Sequence, residues 1–345
     1  MIIDSVSVND DESQNSAMPT DWQQGLRDMI RTPEALLQAL DLPEHLLPAA
    51  QQGHQLFPIR VTRAFLQRIR PADPDDPLLR QILPLSFEME ASPQGYGKDP
   101  LAEDQAIATP GLLHKYQSRV LTIGTSACAI HCRYCFRRHF PYADQRQSQD
   151  DFKQKLEYIR HHPDVNEVIL SGGDPLMLTD AQLLRQMEAL ATLPQIRTVR
   201  IHTRLPVVLP QRVTEGLLEA LKRFPHRQVM VIHCNHPQEL DTDVRQALRR
   251  LRSVTTLLNQ TVLLRGVNDS EAVLTGLSEA LFDAGVLPYY LHQMDRVEAT
   301  HHFAVPDEVA LHLHQTLTRN LPGYLVPRLV REEPGAPSKT LLLRP

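Results

Sequence analysis

The chain contains four cysteines, and three of them lie close enough in sequence to bind one metal centre. Cys128, Cys132 and Cys135 have the spacing C-x3-C-x2-C, while Cys234 lies alone far downstream. A [4Fe-4S] cluster normally takes four cysteines, so a loop with three thiolates leaves one iron without a protein ligand. The spacing therefore predicts a [4Fe-4S] cluster with an open iron.

Residue type alone leaves two other interpretations of this loop open. Zinc sites usually combine paired C-x2-C groups, so zinc would need His131 or a distant residue as its fourth ligand. Free cysteines are often small buried apolar residues, but His131 and Arg133 make this loop polar. We interpret the isolated Cys234 as such a core residue, because His233 and His236 beside it would point to different faces of a strand.

The composition is that of a globular protein, with 345 residues of which 42% are hydrophobic. This suffices for one large α/β domain with extensions or for two small domains. The net charge of -5 and the lack of a long basic block argue against nucleic-acid binding. No signal-peptide pattern and no apolar run of about 18 residues is present, so we expect a cytoplasmic protein outside the membrane.

The N-terminal part of the sequence predicts helices that precede the chemical motifs. Residues 1–19 are polar and acidic and are predicted to be a disordered lead-in. Residues 20–110 are predicted to form a helical subdomain and linker, with little periodicity over 83–111. Thr32 before Pro33 indicates one helix start, because threonine is a common N-cap and proline suits the first helical position.

Residues 111–345 are predicted to form the catalytic domain, because strand-like and helix-like segments alternate there. Such alternation indicates a parallel sheet with helices outside it. Strands are predicted at 119–125, 167–170, 198–202, 228–233, 255–264 and 286–292, and helices at about 212–224, 242–252 and 270–283. A further helix after the second strand is expected to place Ala181, Leu184 and Leu190 on one face, with Leu183 and Met187 beside it. An open doubly wound sheet fits this periodicity too, and in either fold ligands bind at the carboxyl ends of the strands.

The cysteine loop resembles that of radical S-adenosylmethionine enzymes, and Phe136, Arg137 and Arg138 after it narrow the resemblance to the lysine 2,3-aminomutase family. The resemblance extends roughly over residues 83–345. It implies an α/β fold with a partial (β/α)6 TIM-type barrel, in which the open iron binds S-adenosylmethionine. It also implies an isomerase that converts L-α-lysine to β-lysine.

A second motif, Gly172-Gly173-Asp174, directly follows a predicted strand. In most proteins such a motif is merely a turn. Here it resembles the family's glycine-rich segment for the amino group of S-adenosylmethionine, and adjacent glycines allow a ligand to approach the backbone closely. The resemblance therefore implies that Gly172, Gly173 and Asp174 bind this cofactor.

The resemblance also implies a pyridoxal 5'-phosphate site. The turn from Pro334-Gly335 to Lys339 matches the family turn whose lysine binds that cofactor covalently, although the family often has several glycines there. Without the resemblance, Lys339 would be interpreted as a solvated surface lysine. Tyr116 and Arg119 match the tyrosine that packs near the cofactor and the arginine that meets its phosphate.

Three charged residues are expected from the resemblance to select the substrate. Arg137 matches the family arginine that pairs with the substrate carboxylate, a contact that a planar guanidinium can make through two parallel hydrogen bonds. Asp295 matches an aspartate that binds the side-chain ammonium, so it disfavours an acidic substrate such as glutamate. The family has a second carboxylate, an aspartate, and in this chain Glu332 occupies its position.

The chain ends six residues beyond Lys339, as in shorter relatives that make (R)-β-lysine for the modification of bacterial elongation factor P. That branch implies three partners besides L-lysine: elongation factor P, its lysyl-tRNA-synthetase-like ligase, and an external electron donor such as flavodoxin. Three alternatives stay open, namely free β-lysine for another pathway, arginine as substrate, or a non-catalytic iron–sulfur electron-transfer protein. A non-catalytic electron-transfer protein would need none of Lys339, Arg137 and Asp295.

Overall fold

The computed structural model describes residues 21–141 and 149–342, so the predicted disordered lead-in lies outside the described residues. The N-terminal part is helical, as predicted. Thr32 accepts a hydrogen bond from the backbone N–H of Ala35, and Pro33 opens the helix, which confirms the predicted start. The helices before the sheet are α1 Asp21–Arg27, α2 Pro33–Ala39, α3 Leu47–Leu56, α4 Arg63–Leu66 and α5 Pro77–Arg80.

Ten strands form one sheet in which spatial order follows sequence order. They are β1 Ile107–Thr109, β2 Leu112–Tyr116, β3 Arg119–Thr125, β4 Glu167–Gly172, β5 Thr198–Thr203, β6 Arg227–Ile232, β7 Thr256–Leu263, β8 Leu287–Gln293, β9 Arg328–Arg331 and β10 Thr340–Leu341. Strands β3 to β9 are parallel. The antiparallel strands lie at the edges, β1 and β2 beside β3 and β10 beside β9.

Within the described residues no pairing joins β1 to β10, so the sheet is open and the fold is the partial TIM-type barrel that the resemblance implied. All six predicted strands are present, with ends that differ by at most two residues. Strands β1, β2, β9 and β10 were not predicted, because segments of two to five residues are too short to show a period. The parallel part therefore has seven strands rather than six.

Helices alternate with the parallel strands: α6 Gln149–Arg160, α7 Asp180–Ala191, α8 Leu205–Val208, α9 Glu215–Lys222, α10 Thr242–Arg252, α11 Glu271–Asp283 and α12 Asp307–Asn320. The predicted buried face of α7 was partly wrong. Leu183, Met187 and Leu190 are the buried residues, whereas Ala181 is exposed and Leu184 is half-buried. The larger side chains at 183, 187 and 190 form a helical stripe of their own, and burying them removes more apolar surface from water than burying Ala181.

The N-terminal helices and the barrel share one hydrophobic core. Trp22, Phe65 and Leu79 belong to the same buried cluster as Val168 of β4 and Met230 of β6. Burial of one such side chain stabilises the fold by about 1.5–3 kcal/mol. Packing of the N-terminal helices therefore stabilises the part of the barrel that carries the cysteine loop. A domain boundary near residue 110 stays a prediction. In the part of the chain that the structure describes, no helix is long and apolar enough to cross a bilayer.

Candidate active site

A cavity of about 380 Å³ lies within the barrel, and its wall includes residues that directly follow β3, β4, β5, β6 and β8. Ligands of parallel barrels bind at this end of the strands. Every candidate site residue predicted from the sequence lines the cavity: Cys128, Cys132, Cys135, Tyr116, Arg119, Gly172, Gly173, Asp174, Arg137, Asp295, Glu332 and Lys339. The structure thus brings together residues that are spread over more than two hundred positions of sequence.

The cysteine loop follows β3 and is fixed to the N-terminal helical part. The backbone N–H of Arg133 donates to the carbonyl of Gln81 at 2.9 Å. The guanidinium of Arg133 is fully buried, and its Nε donates to Glu88 at 2.7 Å. Burial and the neighbouring thiols raise the pKa of Cys128, and the same causes raise the pKa of Cys135 to about 11. A bound metal would have to supply the positive charge that keeps these sulfurs ionised.

The donor set fits an iron–sulfur cluster better than a single zinc ion. Three thiols line one cavity, and in a cluster each thiolate binds a different iron. Over residues 21–141 and 149–342, no three His, Cys, Asp or Glu side chains gather as a single metal ion requires. The ring Nδ1 of His131, the candidate fourth zinc ligand, instead lies 2.7 Å from the carbonyl of Pro58. Cys234 is fully buried in the hydrophobic cluster, as predicted.

The two glycines at the end of β4, Gly172 and Gly173, lie against the residues that lead into the cysteine loop. Gly172 has a φ of +111°, which side chains rarely tolerate. A Cβ on Gly173 would lie 2.4 Å from the carbonyl oxygen of Ala127, and the Gly173 N–H donates to Thr125 at 2.7 Å. The glycines are therefore needed for close packing of two strand ends, and their contact with S-adenosylmethionine stays a prediction.

Asp174 is buried, and its carboxylate is used within the protein. It accepts hydrogen bonds from Thr203 Oγ1 at 2.7 Å and from the backbone N–H of Arg204 at 2.7 Å. The backbone N–H groups of Leu176 and Leu205 donate to it as well, each at 3.0 Å. Burial raises the pKa of Asp174 although these four hydrogen bonds oppose the shift. The side chain thus orients the end of β5, and a direct cofactor contact remains a prediction.

Five charged side chains in the cavity wall form a row of contacts in which positive and negative charges alternate: Lys339, Glu332, Lys115, Glu103 and Arg137. Lys339 pairs with Glu332, and Lys115 Nζ lies 3.2 Å from Glu332 Oε1 and 3.1 Å from Glu103 Oε1. Glu103 in turn accepts two hydrogen bonds from Arg137, to Nε at 2.7 Å and to Nη2 at 2.8 Å. One edge of the guanidinium, formed by Nε and Nη2, therefore already faces a carboxylate of the protein, whereas Nη1 donates to Ser171 Oγ at 3.2 Å.

The two carboxylates predicted to bind the substrate ammonium have opposite pKa shifts. Burial and the negative charge of Glu332 raise the pKa of Asp295 to about 7. Burial also opposes ionisation of Glu332, but the ammonium groups of Lys339 and Lys115 outweigh it and hold its pKa below the usual range. Near neutral pH, Glu332 is therefore ionised, whereas Asp295 is only partly ionised.

The residues predicted to hold pyridoxal 5'-phosphate share the same cavity. The guanidinium of Arg119 lies 4.2 Å from the ring centre of Tyr116, and within the described residues Arg119 forms no ion pair with a carboxylate. The amine of Lys339 lies 5.9 Å from the ring centre of Tyr290. The Lys339 amine, two aromatic rings and a cation that pairs with no carboxylate among the described residues fit a phosphorylated aromatic aldehyde, so the donor set is compatible with this cofactor.

Sequence reasoning missed several residues that hold the site. Glu103 lies in the stretch without periodicity, and Lys115 was given no role although it directly precedes Tyr116. The cavity also contains His202 and His292, whose Nε2 atoms are buried and without a hydrogen-bond partner among the described residues. Burial holds the pKa of both histidines well below the usual value. Their positions in strands β5 and β8 could have identified them from the sequence. Residues of a barrel strand point alternately to the interior and to the surrounding helices, so the interior positions could have been listed.

Comparison with known proteins agrees with this fold and site. Residues 122–275 match the family model described as the Radical SAM superfamily. This range begins in β3, contains the cysteine loop and the glycine motif, and extends into α11. This match covers 154 of the 345 residues and agrees with the resemblance of the cysteine loop to radical S-adenosylmethionine enzymes.

Relatives define the family more narrowly. An L-lysine 2,3-aminomutase of Escherichia coli (strain K12) is 46% identical over 330 residues, covering 95% of this chain and 96% of the relative. One of Haemophilus influenzae is 43% identical, covering 93% of this chain and 95% of the relative. One of Clostridium subterminale is 35% identical, covering 93% of this chain and 77% of the relative. The chain belongs to the L-lysine 2,3-aminomutase family, which confirms the resemblance.

Proposed function

We propose that this protein is an isomerase that converts L-α-lysine to (R)-β-lysine by moving the amino group between adjacent carbons. The observation that carries the proposal is the single cavity that contains the three clustered cysteines, the Lys339 amine and the carboxylates of Asp295 and Glu332. A non-catalytic electron-transfer protein would not need an amine and two carboxylates beside its cluster. Family membership also argues against that alternative.

Three cofactors are proposed to occupy the cavity. Cys128, Cys132 and Cys135 bind a [4Fe-4S] cluster, and the backbone around Gly172 and Gly173, which lines the same cavity, binds S-adenosylmethionine. Pyridoxal 5'-phosphate is held by Lys339, Tyr116 and Arg119. Together these groups supply a radical that takes a hydrogen atom from the substrate and a carrier for the migrating amino group. The residues themselves bind and orient the cofactors and the substrate, and they exclude water from the cavity.

The charges of the cavity explain the choice of a cationic amino acid. Asp295 is proposed to attract the side-chain ammonium of lysine, with Glu332 beside it shared with Lys339 and Lys115, and an acidic side chain would be repelled. Arg137 is proposed to bind the substrate carboxylate while Glu103 holds its guanidinium in position through two hydrogen bonds. Lys115 lies between Glu103 and Glu332 and keeps both carboxylates ionised.

An anaerobic assay tests the reaction. The reconstituted protein is incubated with dithionite, S-adenosylmethionine, pyridoxal 5'-phosphate and one of L-lysine, L-arginine or L-glutamate, with chiral analysis of the products. We expect (R)-β-lysine from L-lysine and no product from L-glutamate. β-Arginine as the main product would show that the substrate is arginine, another cationic amino acid, and not lysine. Turnover of glutamate would contradict the role of Asp295 and Glu332.

Cofactor binding by Lys339 is tested separately from turnover. The wild-type protein should bind pyridoxal 5'-phosphate in a ratio near one and show the visible absorbance of the lysine-bound cofactor. Lys339→Ala should lose that absorbance, because it removes the amine proposed to bind the cofactor, and the other amine beside Glu332, that of Lys115, pairs with both Glu103 and Glu332. Lys222→Ala, which removes an exposed lysine of α9, should retain it. Equal absorbance in the two variants would overturn the assignment.

We also propose that the β-lysine is attached to elongation factor P by a lysyl-tRNA-synthetase-like ligase, that flavodoxin supplies electrons, and that the protein works in the cytoplasm. Support comes from the motif resemblance and from the higher identity to the Escherichia coli relative, 46%, than to the Clostridium subterminale relative, 35%. Mass spectrometry of elongation factor P incubated with the ligase and the purified product would show the added β-lysyl mass. Unmodified factor would favour free β-lysine as the end product.

A further inference from the structure

Arg204 lies directly behind the cysteine loop, at the start of α8. Its Nη1 is 2.8 Å from the sulfur of Cys132 and 2.7 Å from the hydroxyl of Tyr134. No role was assigned to this arginine from the sequence, and it does not belong to the charged groups around Lys339. Its side chain is almost fully buried, so solvent screens its charge very little.

The position of the guanidinium is fixed from its other side. Nη2 donates to Gln81 Oε1 at 2.7 Å and to Glu239 Oε2 at 2.9 Å. Glu239 is fully buried too, and it accepts hydrogen bonds from the backbone N–H of Asn235 at 3.0 Å. The buried pair of Arg204 and Glu239 is therefore a fixed dipole whose positive end contacts the sulfur and whose negative end points away from it.

We propose that Arg204 sets the reduction potential of the cluster by donating a charged N–H hydrogen bond to the sulfur of Cys132. One-electron reduction adds a negative charge to the cluster and its thiolates. A cation in contact with one of those sulfurs stabilises the reduced form more than the oxidised form, and hydrogen bonds to cluster sulfurs are known to shift the potential. Glu239 opposes this effect from a greater distance, so the arginine dominates.

A second arginine, Arg60, lies near the cysteine loop without contacting a sulfur atom, so it serves as a control. Arg60 donates from Nη1 to the backbone carbonyl of Cys128 at 3.1 Å, and its side chain is only half-buried. Its charge is more strongly screened, and its hydrogen bond ends on a peptide group. Removing Arg60 is therefore expected to change the potential much less than removing Arg204.

The inference rests on the proposed cluster site, and an EPR-monitored redox titration of the reconstituted protein tests it. Replacing Arg204 alone would leave Glu239 buried without its cation, so the test uses the charge-balanced double variant Arg204→Gln with Glu239→Gln. We expect its reduction equilibrium constant to fall roughly tenfold, a shift of about 59 mV to lower potential for a one-electron couple. Arg204→Lys keeps a cation and is expected to retain most of the wild-type potential, and Arg60→Gln should match the wild type.

Iron content and sulfide content are measured on each sample to confirm that a cluster is present. A wild-type protein that assembles no cluster would overturn the proposed function and this inference with it. An assembled cluster with the same potential in the wild type and the double variant would overturn this inference alone. If Arg204→Lys were shifted as far as the double variant, the charge would not be the cause, which would also contradict the proposal.

Discussion

Asp295 and Glu332 are carboxylates of one cavity, yet their surroundings give them different protonation states. Glu332 is neutralised by Lys339 and Lys115, whereas Asp295 is buried and repelled by Glu332. A cationic substrate changes this balance, because an ammonium beside Asp295 favours its ionised form. Substrate binding at low pH should therefore release a proton from Asp295.

The affinity for lysine should depend on pH through Asp295. Its pKa of about 7 means that the protonated, non-attracting form becomes the majority as pH falls below neutrality. We expect the KM for lysine to rise by up to about tenfold per pH unit below 7, with kcat changing less. Steady-state kinetics between about pH 5.5 and 8.5 check this. Asp295→Asn should have a KM that is higher and nearly constant over that range. A wild-type slope that persists in the variant would contradict the prediction.

Arg137 should not tolerate replacement by lysine. Arg137→Lys keeps the positive charge but loses the two parallel hydrogen bonds to Glu103, so the cation is no longer held in one orientation. The KM for lysine should rise roughly tenfold, equivalent to about 1.4 kcal/mol, while iron and pyridoxal 5'-phosphate contents stay unchanged. Arg185→Lys on the exposed side of α7 is the matched control. Equal KM values for both variants would exclude a role for the guanidinium geometry.

At the level of elements, the ends of β3 and β4 must approach closely to present the cysteine loop. The approach depends on Gly173, where a Cβ would lie 2.4 Å from a carbonyl oxygen and 2.7 Å from the carbonyl carbon of Ser126. Both neighbours are backbone atoms and cannot move aside as a flexible side chain could. The geometry of the loop is therefore tied to the absence of a single side chain.

Gly173→Ala should disturb the cluster site. The added methyl must displace the segment before Cys128, which we expect to destabilise the protein by about 1–3 kcal/mol and to lower the iron content after reconstitution. Thermal unfolding of the apoprotein and iron analysis measure the two effects. Gly276→Ala is the control, because nothing lies within 4 Å of the added carbon and alanine is favoured over glycine inside a helix. An unchanged iron content in Gly173→Ala would show that the loop accommodates the methyl group.

Motifs and periods of the sequence were sufficient to predict the six longer strands of the parallel sheet and to name candidate site residues through the family resemblance, but not to predict the contacts that hold them. The six long strands and the cysteine loop are local patterns, so they could be predicted. Glu103 lies 34 residues from its partner Arg137, and the pair of Arg204 and Cys132 is separated by 72. Such pairs depend on how the folded chain brings distant segments together, and neither spacing nor periodicity encodes that.

For the molecule as a whole, the segment between α5 and β1 holds the cysteine loop through a buried carboxylate. Glu88 pairs with Arg133 and with Arg138, and all three side chains are almost fully buried. Arg133 directly follows Cys132, and Arg138 lies three positions after Cys135. The N-terminal part therefore contributes to the site although none of its residues was predicted to react.

Glu88→Gln should be strongly destabilising, because it leaves two buried guanidinium groups without a counter-charge. Breaking a buried ion pair by removing one partner costs about 3–5 kcal/mol. Urea unfolding of the apoprotein under reducing conditions measures the loss. Glu219→Gln removes an exposed carboxylate that pairs with Lys222 on α9 and should unfold like the wild type. Similar unfolding midpoints for both variants would mean that solvent reaches Glu88 in the folded protein.

The last hairpin of the sheet has a consequence for the dynamics of the protein. β10 pairs with β9 through Thr340 and Leu341, and Leu342 adds one backbone hydrogen bond to Leu329. An edge strand this short opens at little cost in free energy. Lys339 lies directly before it, whereas Arg119 lies at the start of β3. A cofactor bound to both would link the two sides of the open barrel. Amide hydrogen exchange over residues 332–342 should therefore slow when pyridoxal 5'-phosphate binds, while exchange in the central strands stays the same.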